Sequence, residues 1–418
     1  MPKSIKSLKK KSARNTVQSG TYLDYASAAP LDPAVILAIS KELKNNFANS
    51  GALHDLGVKA KKILETTRGD VAEILDAHAN EIIFTSGATE SNNLAIFGVV
   101  NKKNKNAFLP HIVTTNIEHA SVLEVCRYLE NTGKAEVTYV SVEANGVVDS
   151  NKIKKALKVN TVLVSVMYAN NEIGTIQPIR EIAKEIRYYN KINLKKIFFH
   201  TDATQAINYL PINVEKLGVD LLSFNGSKIY GPKGSGALFK KRNVQLVSLM
   251  HGGDQEFGLR PGTENVAGAV GLAEALKITE KIKEKETERL IKLRDYFIKK
   301  LDLGLGLDFY FVFNGDLENR LPNNVNITIP KIPSDLMVIE FSARGIYISE
   351  KSACKSGDIK GSHVIQAIRA MQSEQGLILN EDLGSLRLSL GRQTTKMDID
   401  YTLKSLKQIL IKLKKWYN

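Results

Sequence analysis

Lys228 stands just after an apolar run, in the segment SFNGSKIYGPKG spanning residues 223–234. A lysine leaving a buried strand is costly to bury unless its pKa falls or its amine is covalently bonded. A Schiff base to an aldehyde cofactor is one such bond. The small neighbours would also let a phosphate approach closely. Taken alone, however, the segment reads better as a surface loop. Asp202, in HTDATQ at 200–205, follows a second apolar run, IFFH at 197–200. A carboxylate there needs a partner, because an unpaired buried charge is expensive. A pyridinium nitrogen is one candidate, since a carboxylate facing it makes the ring an electron sink. Asp202 precedes Lys228 by 26 residues, one strand–helix–strand step, which suits two residues at one sheet edge.

The turn SGATE at 86–90 joins a strand to a helical pattern. Its amides and the Thr89 hydroxyl would make an anion site at a helix N-terminus. An ordinary N-cap with a small turn fits it equally well. The chain holds two cysteines, Cys126 and Cys354. Cys126 lies in an apolar helical stretch and reads as a small buried hydrophobe. Cys354 sits in the polar stretch KSACKSGDIKGSH, where Lys351 and Lys355 would favour thiolate. No His/Cys cluster has metal-ligand spacing, so no metal is expected.

The elements that must position these residues are legible as short apolar runs alternating with helical patterns. Runs at 81–85, 111–115, 137–142, 161–167, 197–200, 221–224 and 236–239 read as strands. Such continuous apolar strands between helices predict an α/β fold with a mostly parallel sheet covered on both faces. Sites in such sheets lie at the carboxyl ends of the strands, where the polar residues above fall. A long charged helix is expected over 275–302, followed by strands at 324–329, 345–349 and 385–390 with an apolar helix at 334–343. The organisation expected is a basic, disordered tail at 1–20, a large domain at 21–275 and a smaller C-terminal α/β domain at 276–418.

Together these residues resemble the class V aminotransferase group of pyridoxal-phosphate enzymes, and within it the cysteine desulfurases of NifS/IscS type. The segments YLDYASAAP, TSGATESNN, IEHASVL, NNEIGTIQPI, HTDATQA, NGSKIYGPKG, RPGTEN, SAC and LRLSLGR occur in the family order. The resemblance covers about residues 21–395. It implies the pyridoxal-phosphate transferase fold with a seven-stranded sheet, and pyridoxal 5′-phosphate as cofactor. By the same resemblance Lys228 would form the Schiff base, Asp202 would pair with the pyridinium nitrogen, and His119 would stack on the ring and assist proton transfer. Gln205 and Asn171 would sit near the ring hydroxyl, with Asn170 the lesser candidate. Ala88, Thr89, Asn225 and Ser227 would hold the phosphate. Thr263 would reach the phosphate of a neighbouring subunit, which implies a homodimer. Arg387 would clamp the substrate carboxylate as a bidentate fork, and Asn49 would contact substrate. Cys354 would take the sulfur of L-cysteine as a persulfide and pass it to an acceptor of iron–sulfur cluster assembly or tRNA thiolation. The chain departs from the family pattern at Ser227, where His is usual, at Asn225, where Ser is common, and at Ser50, where Pro often follows the Asn. Weaker or rearranged cofactor binding is the consequence expected of the first two.

Composition narrows the alternatives. No apolar run reaches the ~18 residues of a membrane span, and two cysteines give no disulfide framework, so a reducing cytoplasmic setting is expected. The formal net charge is +14, of which residues 1–20 supply +6 through Lys3, Lys6, Lys9, Lys10, Lys11 and Arg14. Lys404, Lys407, Lys412, Lys414 and Lys415 make the C-terminus basic as well. With no base-reading or stacking motif present, this charge reads as a solvated tail and helix face rather than a nucleic-acid anchor. The competing functions are a selenocysteine lyase or related class V aminotransferase, and an inactive scaffold that kept the fold.

Overall fold

The computed structural model describes residues 20–103, 108–303, 305, 311–330, 332–350, 362–374 and 385–417. The basic tail at 1–19 and Cys354 therefore lie outside the described residues. After the short strand β1 (Thr21–Tyr22) come the strands of the main sheet. They are β2 (Ile82–Thr85), β3 (His111–Thr115), β4 (Glu136–Val140), β5 (Thr161–Ser165), β6 (Phe198–Asp202), β7 (Leu221–Asn225) and β8 (Gly236–Lys240). Their order across the sheet is β2-β8-β7-β6-β5-β3-β4. Only β8 runs antiparallel to its neighbours, β2 and β7. The mostly parallel seven-stranded sheet expected from the apolar runs is present.

Side-chain alternation explains why both sheet faces are covered. Leu163, Phe198 and Leu221 face one apolar core, while the following residues Val164, Phe199 and Leu222 face the other. A period of two with both sets apolar demands helices on each face. These are supplied by α1 (Pro33–Asn45), α2 (Asp55–Leu75), α3 (Ala88–Lys103), α4 (Ala120–Asn131), α5 (Ser150–Ala156), α6 (Ile179–Asn193), α7 (Val214–Leu217) and α8 (Val266–Asp302). Several start on the residue types that satisfy free N–H groups. Asp32 accepts from Ala34 N at 2.9 Å ahead of Pro33, and Asn265 accepts from Gly268 N at 2.9 Å. The α8 helix begins at Val266, well before the start expected at 275, because its first turns are small and apolar and pack against α1 and α2. Charge pattern revealed only the solvent-facing part.

The rest of the chain builds a second sheet. β9 (Val312–Phe313), β10 (Asn324–Thr328) and β12 (Leu386–Ser389) pair antiparallel in the order β12-β10-β9. Helices α9 (Ser334–Ser342), α10 (His363–Glu374) and α11 (Lys396–Tyr417) accompany it. β11 (Ile346–Tyr347) pairs in parallel with β1, and Asp24 bridges to Ser389. The N-terminal segment is thus laced to strands more than three hundred residues away in sequence. Val325, Ile327, Leu386 and Leu388 join the same apolar core as the main sheet. Among the described residues, no helix is long and apolar enough to cross a membrane.

Candidate active site

The strand order puts the carboxyl ends of β2, β3, β5, β6 and β7 along one edge, and the candidate residues follow from it. A cavity of about 170 Å³ opens there. Ala88 and Thr89 reach it from the start of α3, His119 from the turn after β3, Asn171 from the loop after β5, and Asp202 from the end of β6. Gln205 follows Asp202, Asn225 ends β7, and Lys228 closes the short helical turn after it. Arg387 enters from β12 of the second sheet.

Asp202 is buried and held on both oxygens. Oδ1 accepts from Thr204 N at 2.9 Å and Oδ2 from Asn92 Nδ2 at 2.7 Å. An ionised carboxylate has about four acceptor positions, so it retains capacity for a donor in the cavity. Asn92 also donates to Ser121 Oγ at 2.8 Å, and Ser121 lies 2.8 Å through its hydroxyl from His119 Nδ1. His119 Nδ1 accepts from Ser121 N at 3.1 Å. This places the proton of a neutral ring on Nε2. One chain of hydrogen bonds therefore joins Asp202 to His119 through Asn92 and Ser121.

Below this chain, Glu118 is wholly buried and accepts from Thr115 Oγ1 at 2.7 Å and Met167 N at 2.9 Å. Burial pushes its carboxyl up to about 8, with the nearby Asp202 charge acting in the same direction. A neutral Glu118 leaves Asp202 as the site's floor charge. His200 is held well below the usual histidine range by burial, and its ring lies 2.8 Å from Ser165 Oγ and 3.0 Å from Ser223 Oγ. It is packed between neighbouring strands rather than bonded to Asp202.

Lys228 Nζ donates to Ser27 O, and Asn208 Nδ2 donates to Lys228 O at 2.5 Å. Gln205 Nε2 donates to Ala26 O at 2.9 Å. Arg387 is 1% exposed. Its Nη2 donates to Asp24 Oδ1 at 2.8 Å and Ser27 Oγ at 2.6 Å, and its Nη1 to Asn171 O at 3.0 Å. Its Nε has no hydrogen-bond partner among the described residues, and neither has Thr204 Oγ1 on the same cavity wall. Unmatched buried polar atoms lining a cavity fit a polar, charged ligand. A carboxylate, the Lys228 amine, an imidazole and a helix N-terminus around one space fit the donor and acceptor set of pyridoxal 5′-phosphate.

Not every candidate is brought to this cavity. Ser227 is not among the lining residues, and its hydroxyl donates to Asn225 Oδ1 at 3.3 Å. Asn49 is exposed, and its Oδ1 accepts from Gly51 N at 2.8 Å. Thr263 is exposed and outside the lining. Asn170 is buried behind the wall, where its Oδ1 accepts from Glu172 N and Ile173 N. Among the described residues, no group of three or more His, Cys, Asp or Glu is placed to hold a metal ion. Sequence reasoning missed Asp24, Ser27, Asn92, Ser121 and Glu118. The first two sit in YLDYASAAP, whose unusual polar residues within an apolar run were the available signal.

Comparison with known proteins places the chain in a family. The family model described as Aminotransferase class-V matches residues 21–402. The chain is 42% identical over 396 residues to the cysteine desulfurase IscS of Dictyoglomus turgidum, covering 94% of this chain and 95% of that protein. A solved NifS-like protein superposes with a TM-score of 0.83 at 34% identity, covering 94% of this chain and 99% of the other. The structure of SspA in complex with cysteine superposes with a TM-score of 0.72 at 33% identity, over 88% and 98% of the two chains. By sequence and by fold, the chain belongs to the class-V aminotransferase family.

Proposed function

We propose that the chain is a pyridoxal-phosphate-dependent cysteine desulfurase that takes the sulfur of L-cysteine onto Cys354. The observation that carries this reading is the convergence of Lys228, Asp202, His119 and Arg387 on one cavity. The likeness to cysteine desulfurases over 94% of the chain supports it. Bound in the cavity, pyridoxal 5′-phosphate supplies an aldehyde for amine capture and an electron sink beside the substrate's α carbon. Lys228 provides the amine that holds it and then moves protons. Asp202 pairs with the ring nitrogen, His119 covers the ring and holds a proton on Nε2, and Gln205 and Asn171 flank the ring hydroxyl. Ala88, Thr89, Asn225 and Ser227 bind the phosphate. The Arg387 guanidinium takes the substrate carboxylate.

The net chemistry balances without an outside oxidant. The Cys354 thiolate attacks the substrate sulfur, an S–S bond forms and the carbon–sulfur bond breaks. The electron pair stays on carbon, which is protonated to give alanine, and sulfur is left as Cys354–S–SH. The persulfide then passes to an acceptor of iron–sulfur cluster assembly or tRNA thiolation, in a cytoplasm reducing enough to keep thiols free.

The working unit is a homodimer. Leu37, Phe47 and Leu53 are 72%, 77% and 97% exposed on α1 and the segment after it. Large apolar side chains left this exposed along one stretch of chain favour a covering surface. Thr263, exposed and outside the lining of its own cavity, would serve the partner's phosphate. We assign 21–275 to the cofactor-binding domain and 276–418 to the smaller domain, the division falling inside α8. Product analysis tests the function. The purified protein with L-cysteine should release one alanine per sulfur transferred. A keto acid in place of alanine would indicate transamination, and no turnover at all would favour a scaffold.

A further inference from the structure

Ser27 touches both Lys228 and Arg387. Its carbonyl accepts from Lys228 Nζ. Its hydroxyl accepts from Arg387 Nη2 at 2.6 Å and donates to Asp24 Oδ1 at 2.8 Å. Asp24 Oδ1 also accepts from Arg387 Nη2 at 2.8 Å, so Nη2, Asp24 Oδ1 and Ser27 Oγ form a closed triangle. The turn that holds Ser27 is fixed without this hydroxyl. Ser27 N donates to Asp24 O at 3.0 Å, Ala29 N donates to Ser227 O at 2.9 Å, and Ala26 N donates to Ser389 Oγ at 2.9 Å.

The shape of a guanidinium makes Nη2 decisive. A carboxylate can bridge it on two sides only, Nε with Nη2 or Nη1 with Nη2, because the side chain's own Cδ closes the third. Both bidentate modes use Nη2. Ser27 lines the cavity, whereas Asp24 is not among the lining residues. A carboxylate arriving through the cavity therefore meets Ser27 Oγ at Nη2. The hydroxyl gives its single proton to Asp24, so it offers Nη2 a neutral acceptor. An ionised carboxylate is the stronger acceptor for a guanidinium. It displaces the hydroxyl, and the bond lost there is subtracted from the bond gained.

We propose that Ser27 is a specificity-determining residue for the substrate carboxylate. Its hydroxyl holds the place on Arg387 Nη2 that a carboxylate oxygen takes, and so sets how tightly an amine bearing a carboxylate binds relative to a plain amine. The inference rests on the reading of Arg387 as the carboxylate clamp. It concerns the hydroxyl alone: Ser27→Ala removes Oγ and keeps the carbonyl that accepts from Lys228.

The test uses full-length holoenzyme as native protein, Ser27→Ala, Ser27→Thr and Arg387→Lys. Each is titrated with L-alanine and with ethylamine, its counterpart lacking the carboxylate, and the cofactor absorbance change gives an apparent Kd for each ligand. In Ser27→Ala the Kd for L-alanine should fall roughly two- to tenfold, the worth of one hydrogen bond no longer displaced. The Kd for ethylamine should stay within about twofold of native. Ser27→Thr retains the hydroxyl and should match native protein with both ligands. An unchanged or raised Kd for L-alanine in Ser27→Ala, an equal change for both ligands, or the same tightening in Ser27→Thr would overturn the proposal. If Arg387→Lys binds L-alanine as native protein does, the clamp reading fails and the proposal with it. If Arg387→Lys weakens L-alanine alone and Ser27→Ala changes nothing, only the role of Ser27 fails.

Discussion

Replacing Arg387 by Lys keeps the charge and removes the fork. In the native site, Nη2 binds Asp24 and Ser27 at 2.8 and 2.6 Å, Nη1 binds Asn171 O at 3.0 Å, and Nε is buried without a hydrogen-bond partner among the described residues. A lysine ammonium is a point donor and cannot span Asp24, Asn171 and substrate together. The ion pair with Asp24 tethers it toward the N-terminal segment, so the substrate loses at least one charge-assisted hydrogen bond. Such a bond contributes about 1.5–3 kcal/mol, which is roughly a 10- to 100-fold loss in affinity. Steady-state alanine formation against L-cysteine concentration should show KM rising by that factor, with kcat falling less. Thermal unfolding should move by only a few degrees, since the Asp24 charge retains a cationic neighbour. An unchanged KM would refute the carboxylate-clamp role. A collapse of the melting temperature with a matching loss of bound cofactor would show that Arg387 is chiefly structural.

Three further outcomes follow from the same geometry. Asn92→Leu removes both N–H donors that link Asp202 to Ser121; kcat/KM should fall about tenfold, near the worth of one hydrogen bond to a charged group, and native kinetics would remove Asn92 from the site. Glu118, with its carboxyl pushed up to about 8 by burial, is protonated in the fold at neutral pH and ionised in the unfolded chain. Its folded pKa is raised, so its contribution is greatest below about 4.5 and is lost as pH rises to about 8. Glu118→Gln cannot ionise and can still accept from Thr115 and Met167, so its melting temperature should fall less than native between about pH 6 and pH 8; parallel pH profiles would contradict the neutral carboxyl. A Cβ on Gly391 would lie 2.3 Å from Tyr25 Cδ1. Gly391→Ala should therefore destabilise by about 1–3 kcal/mol, read in denaturant unfolding, and an unchanged midpoint would show that Tyr25 can move aside.

The sheet was legible because its strands are fully buried apolar runs with helices between them, and that pattern has few other solutions. Lys228 and Asp202 drew attention because each follows such a run, whereas their roles and that of His119 came from the family resemblance; their placement at one edge follows from parallel topology. The residues that complete the site were less so. Asp24 and Ser27 meet Arg387 from 363 and 360 positions away, through pairing that no local pattern encodes. Asn92 and Ser121 look like ordinary polar residues of helices until α3 and α4 are packed on the sheet. The start of α8 was hidden because small apolar residues at 266–276 have neither the charge pattern nor the exposed face of the helix's second half.

The central claim is that sulfur from L-cysteine comes to rest on Cys354. Intact-mass measurement of holoenzyme after anaerobic incubation with L-cysteine, beside Cys354→Ala holoenzyme, tests it most directly. The account predicts a gain of one or more sulfurs in the native protein, absent from the variant and reversed by a thiol reductant. An equal gain in both proteins, or no gain in the native protein while alanine accumulates, would contradict it.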